Sequence, residues 1–293
     1  MPDLPACKRY LRMLEEHAMR RAKPAYVASG ALIARQKQAK LTKREVCEYM
    51  ETRAIASLDL GDVATASDMI ANLYAEFPAS HRVARLEGMR LEASGDFDAA
   101  TRKYDEILKE SPADQRCVKR KAACLRAQGK ADAAIEVLCE YLDTFMGDFG
   151  AWEALAGWYA ERGSFAQSVF CWEEVVVAQP MMAHHHRRLA EVYYTWGGEE
   201  NLRCARKYYA AALDMSGGSD VRALYGLALA DRRLRRFETK RSKEGSGSGS
   251  IDAGGEGVDA LGADAAAFLQ KLYAAACPEL LPVIEKQMAD ARK

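Results

Sequence analysis

The side chains best able to do chemistry are the run His184-His185-His186 and eight cysteines: Cys7, Cys47, Cys117, Cys124, Cys139, Cys171, Cys204 and Cys277. A transition metal needs imidazole or thiolate donors that converge on one point. Neighbouring residues of a helix point in different directions, so three consecutive histidines cannot all reach one ion. No Cys or Asp stands four residues further on to help them. The triplet therefore reads as the polar first turn of a helix, and no metal site is expected. No two cysteines have the C-x-x-C spacing of a zinc or redox site. Cys117 and Cys124 lie seven apart, on one helix face, where a free thiol packs as a small hydrophobe. The phosphate-loop, nucleophile-elbow, H-E-x-x-H and dinucleotide patterns are absent, and the GSGSGS stretch lacks a flanking strand and helix. The expectation is a non-enzymatic chain, with no catalytic residue, cofactor or small-molecule substrate.

The elements around these residues are set by composition. The 293 residues include 52 alanines and only 8 prolines, which favours helix throughout. A hydrophobic fraction of 49% is too high for general disorder. Met1 to Leu14 carries Lys8, Arg9 and Arg12 and no apolar core, so no secretory signal is expected. No run approaches the 18 or so apolar residues of a membrane span. Reduced, buried thiols then suit a cytosolic protein that needs no disulfides. Lys plus Arg and Asp plus Glu both number 42, so net charge gives no reason to expect nucleic acid.

A repeat organises the chain. Glycines recur every 34 residues at Gly61, Gly95, Gly129, Gly163 and Gly197. Ala66, Ala100, Ala134 and Ser168 keep the same period, as do Ile70, Tyr104, Leu138 and Trp172. Pro78, Pro112 and Pro180 mark repeat ends. Residues 149–182 carry Trp152, Leu155, Ala156 and Tyr159 in a W-x2-L-[GA]-x2-Y pattern. The period and columns resemble the tetratricopeptide repeat. The expected fold is an all-α superhelical solenoid of helix-turn-helix hairpins, because such hairpins bury their faces only by stacking. The glycine ends each first helix. Asp62, Asp96 and Ser164 are placed to cap the second. Gly88, Ala122, Ala156 and Ala190 let the paired helices approach. In the fifth repeat Ala205 and Tyr209 arrive three residues late, which points to an insertion in the turn Gly197 to Asn201. The expected layout is capping helices over 1–46, with a break near Pro24. About five repeats and a sixth first helix follow over 47–236, then a Gly/Ser-rich linker over 237–262 and helices over 263–293.

Three further stretches, FPASHRVARLEGMRLEA at Phe77–Ala93, RAQGK at Arg126–Lys130 and GGEENL at Gly197–Leu202, resemble the ER membrane protein complex subunit 2 family. The resemblance runs from about residue 51 to 230. It implies a non-catalytic scaffold, peripheral on the cytosolic face of the ER membrane. Its partners would be a cytosolic subunit and cytosolic segments of membrane subunits, in a complex that inserts tail-anchored and multi-pass proteins. A generic cytosolic tetratricopeptide adaptor is the alternative. In tetratricopeptide solenoids, positions 2, 5, 6, 9 and 12 of each first helix face the groove. Those positions hold Arg82 and Arg85 in repeat two, Arg116, Lys119, Arg120 and Arg126 in repeat three, and Arg187 and Arg188 in repeat five. Lys121 completes a basic run that the family also shows. These nine are the expected protein-interaction residues, suited to an acidic helix or tail, with Glu48, Glu51 and Glu153 as acidic neighbours. The asparagine clamp of co-chaperone repeats is not expected, since Asn72 and Asn201 are off the groove. A second basic run, Arg232 to Lys243, reads as a solvated helix end.

Overall fold

A computed structural model describes residues 3–243 and 255–289. They form helices throughout, with no strand among the described residues. The chain divides into two compact units, one ending at Thr144 and the other beginning at Phe145.

The first unit holds α1 (Leu4–Glu16), α2 (Ala22–Ala34), α3 (Lys43–Asp59), α4 (Val63–Glu76), α5 (His81–Ala93), α6 (Phe97–Glu110), α7 (Gln115–Ala127) and α8 (Ala131–Thr144). The first break falls at residues 17–21, not at Pro24. Pro24 sits in the first turn of α2, where its missing N–H costs nothing. A capping box opens α3: Glu45 N–H donates to Thr42 Oγ1, and Thr42 N–H donates to Glu45 Oε2. Arg53 of α3 ties it to α2, stacking on the Tyr26 ring and donating to the Tyr26 carbonyl at 2.9 Å.

Each hairpin then repeats one turn. Gly61, Gly95 and Gly129 have φ of 79°, 81° and 78°, a left-handed conformation that glycine adopts without strain. The next residue returns its N–H to the helix, as Asp62 does to Ser57 and Asp96 to Leu91, in the Schellman manner. Asp62 and Asp96 cap α4 and α6 as expected, through the N–H groups of Thr65 and Ala99. The alanine columns Ala54, Ala66, Ala100, Ala122 and Ala134 are buried between paired helices.

The second unit holds α9 (Phe149–Glu161), α10 (Phe165–Ala178), α11 (Ala183–Trp196), α12 (Glu199–Met215), α13 (Val221–Lys243), α14 (Gly255–Ala276) and α15 (Leu281–Ala289), with a 3-10 turn at Pro278–Leu280. Ser164 opens α10 without a side-chain cap bond. The capping aspartates are instead Asp148 before α9 and Asp220 before α13. Ser168 takes the place of the column alanine and donates from Oγ to the Ala156 carbonyl at 2.8 Å. The late register of the fifth repeat is not a longer turn. Gly197 and Gly198 alone make the turn, with φ of 78° and 86°. The extra length enters α12, which has 17 residues where α10 has 14. Asn201 Nδ2 donates to the Gly197 carbonyl at 2.8 Å and pins the start of that helix.

Helix covers both ends of the segment expected as linker: α13 runs to Lys243 and α14 begins at Gly255. The basic run from Arg232 lies on α13, and Arg233 there stacks on Tyr194 and donates to its carbonyl. The GSGSGS stretch lies outside the described residues. The packing of α14 on α13 brings Gly262 against Asp231, so closely that a Cβ would fall 1.9 Å from Oδ2. Asp231 is only 4% exposed. Burial raises its pKa above the usual carboxylate range, against the opposing pull of Arg206. A raised folded-state pKa means the folded chain holds its proton more tightly than the unfolded one. The stabilisation is present at low pH and is lost as pH rises through the ordinary carboxylate value toward the folded one. Asp231→Asn is therefore expected to raise the melting temperature at pH 7, with the gain disappearing near pH 4. A variant less stable than the parent at pH 7 would contradict this.

Candidate interaction surface

The first unit gathers four of the expected basic residues into one cleft. Arg85 of α5 and Arg116, Lys119 and Arg120 of α7 line a cavity of about 670 Å³ with Arg20, Glu51 and Glu92. The helix period explains this, because residues three and four apart share a face. Most of these cations have acidic neighbours. Arg120 Nη1 lies 2.7 Å from Glu92 Oε2, and Arg85 Nη1 lies 3.5 Å from Asp114 Oδ2. Arg20 Nε donates to Asp59 at 2.7 Å. Lys119 sits over the Tyr141 ring, with Nζ 5.9 Å from its centroid.

The other expected residues are placed differently. Arg82 pairs with Glu51 at 2.8 Å and lines a neighbouring cleft with Lys43, Arg44 and Glu48. Lys121 turns to α6 and meets Asp105 at 2.7 Å. Arg126, in the last turn of α7, does not line the cleft of Arg116 and Lys119. Arg187 and Arg188 belong to the second unit. Arg187 reaches Asp220 at 3.0 Å, and Arg188 reaches Glu191 at 3.0 Å while stacking on Trp172.

The histidine triplet differs from the expected polar turn. His184 is exposed, but His185 and His186 are buried. Both reach back to the loop before α11: His185 Nε2–H donates to Gln179 Oε1 and His186 Nε2–H to the Pro180 carbonyl, each at 2.8 Å. Met182 gives α11 no side-chain cap, and these two rings anchor the loop in its place. Sequence spacing named Glu153 as an acidic groove residue but not as a neighbour of the histidines; α9 brings it to within 3.4 Å of His185 Nδ1.

The cysteines form no disulfides with one another; Cys7, Cys117, Cys124 and Cys171 are buried, Cys47, Cys139 and Cys204 half-buried and Cys277 exposed, so only some are the buried thiols expected. Burial pushes the Cys117 and Cys124 thiols up to about 12, so neither is a nucleophile at neutral pH. No described helix is long and apolar enough to cross a membrane.

Comparison with known proteins identifies the repeats. A family model described as the EMC2 TPR-like repeat domain matches residues 63–197. ER membrane protein complex subunit 2-B of Xenopus laevis is 42% identical over 173 residues, which is 59% of this chain and 58% of that protein. The repeats are similar to those of the ER membrane protein complex subunit 2 family. The Dictyostelium discoideum subunit 2 is 30% identical over 183 residues, 62% of this chain and 57% of that protein. The chain thus spans rather more than half the length of these relatives. The family match begins at α4 and ends at Gly197, so it covers α5 and α7, which supply Arg85, Arg116, Lys119 and Arg120, but not Arg20 or Glu51 of the same cleft. A solved structure of MamA from Desulfovibrio magneticus RS-1 aligns with a TM-score of 0.47 at 17% identity, covering 59% of this chain and 97% of that one. At that level it adds nothing to the assignment.

Proposed function

We propose that the chain is a non-catalytic tetratricopeptide scaffold subunit of an ER membrane protein complex. It works peripherally on the cytosolic face, holding a cytosolic partner subunit and cytosolic segments of membrane subunits. Through them it supports insertion of tail-anchored and multi-pass proteins. The observation that carries this reading is the 42% identity to subunit 2-B over 173 residues. The cleft of Arg85, Arg116, Lys119 and Arg120 supports it with a surface for an acidic segment. Rows of cations on a rigid helix face select and orient an acidic partner more than they add raw affinity.

Affinity purification of the tagged chain in mild detergent, followed by mass spectrometry, tests the assignment. Several multi-span ER proteins are expected. Recovery of soluble chaperones alone would favour a generic adaptor instead.

The cleft is tested by Arg116→Glu with Lys119→Glu. Arg120 is spared because it holds Glu92, which also accepts the buried Tyr104 hydroxyl. The double variant is expected to recover at least about tenfold less partner, a loss of about 1.4 kcal/mol, at unchanged melting temperature. Undiminished recovery would remove the cleft from the interface.

A further inference from the structure

Two hairpins of the second unit bring Glu153, His184 and His185 together. Glu153 lies on α9 and the histidines in the first turn of α11. One donor atom from each falls within 4.8 Å of the others. The two rings approach despite being adjacent in sequence, with centroids 3.8 Å apart.

The electrostatics of His185 are unresolved by the protein alone. The ring is 2% exposed. Its Nε2–H donates to Gln179 Oε1, which leaves Nδ1 as a bare lone pair. That Nδ1 has no hydrogen-bond partner, and it faces Glu153 Oε1 at 3.4 Å. Two acceptors facing one another repel unless a cation stands between them. The gap between Nδ1 and the carboxylate is therefore a place for a cation that accepts lone pairs from both.

We propose that Glu153, His184 and His185 bind one divalent transition-metal ion of the zinc class. Imidazole nitrogen and carboxylate oxygen are its usual donors, and three of them leave a fourth tetrahedral corner for water. Gln179 supplies the outer partner that a ligating histidine requires, accepting from the far ring nitrogen and fixing which nitrogen is bare. Nearby cations are balanced: Arg187 by Asp220 and Glu191, Arg188 by Glu191. His184 is exposed and lines an open cleft of about 410 Å³ with Glu153 and Trp172, which gives an ion a path from solvent.

The test is calorimetric titration of the chelator-treated full chain with Zn²⁺ alone. One equivalent is expected to bind and to raise the melting temperature. His184→Ala and Glu153→Gln are each expected to weaken binding at least about tenfold, and Gln179→Ala by about 10–100-fold. His184 and Glu153 are not buried, so both variants are expected to fold, which their metal-free melts will show. Cys277→Ser removes the exposed thiol and is expected to leave binding unchanged. Zinc affinity equal to the parent's in His184→Ala and Glu153→Gln would overturn the proposal. So would loss of binding with Cys277→Ser alone, or no binding at one equivalent.

Discussion

Tyr104→Ala is expected to cost the first unit about 3–5 kcal/mol, the range for deleting a large aromatic from a close-packed core. Tyr104 is fully buried on α6, where its ring presses on Gly88 of α5. Its hydroxyl donates to Glu92, and Glu92 is held in turn by Arg120 of α7. One side chain thus joins three successive helices. Truncation leaves a cavity between helices that are fixed on both sides, so collapse cannot refill it. It also leaves Glu92 with one partner fewer. Urea unfolding followed by far-ultraviolet circular dichroism measures the loss. Tyr104→Phe separates the two contributions: it keeps the packing and removes one hydrogen bond to a charged group, worth about 1.5–3 kcal/mol. An alanine variant within about 1 kcal/mol of the parent would show that the unit can repack, contrary to the density expected of such cores.

Gly226→Ala sets two effects against each other in the second unit. Gly226 is in the interior of α13 with an ordinary helical backbone, so propensity alone predicts a gain of about 1 kcal/mol from alanine. Packing predicts the reverse. A Cβ at Gly226 would fall 2.3 Å from the ring of Tyr209, which is itself buried in the core of α12 and α13. A buried ring between helices has little room to retreat, and overpacking typically costs about 1–3 kcal/mol. We expect the variant to be destabilised by about that much. Tyr209→Leu in the same chain should recover part of the loss, because the two changes share one contact and their effects will not add. A more stable Gly226→Ala would mean that propensity wins and that α12 and α13 slide apart cheaply.

The hairpins were legible in the sequence because a repeat writes the same constraint several times. Gly95, Ala100, Tyr104 and Pro112 each recur in register, and α5 and α6 end where those columns require. The details that escaped are those where one turn can be satisfied in more than one way. Ser164 occupies a capping place without capping, while Asp114, Asp148 and Asp220 cap helices for which no cap was read. The three-residue shift of Ala205 and Tyr209 placed an insertion in the right region. Only the backbone shows that α12 absorbs it, since a turn and a first helical turn have the same polar composition.

The basic residues were harder still. Spacing puts Arg116, Lys119 and Arg120 on one face, and the structure agrees. It cannot tell that Lys121 finds Asp105, because that partner lies on a different helix. The histidine triplet shows the same limit. Helix geometry rightly says that three adjacent rings diverge, yet two of them meet a carboxylate 31 residues earlier in the chain. The Gly/Ser composition around residue 250 reads as a linker and lies outside the described residues; that α13 and α14 meet at Asp231 and Gly262 could not be read from it.

The free cysteines are spread along the chain, and several are sealed. Cys7 lies in α1, Cys117 and Cys124 in α7, and Cys171 in α10, all buried. A shielded thiol cannot react with an alkylating reagent until its helix opens. Each therefore acts as a built-in clock for the part of the array around it. Pulses of reagent followed by peptide mapping would time the opening of separate regions without any added probe. An array that unfolds by pieces would mark these sites at different rates, and one that unfolds as a whole would mark them together.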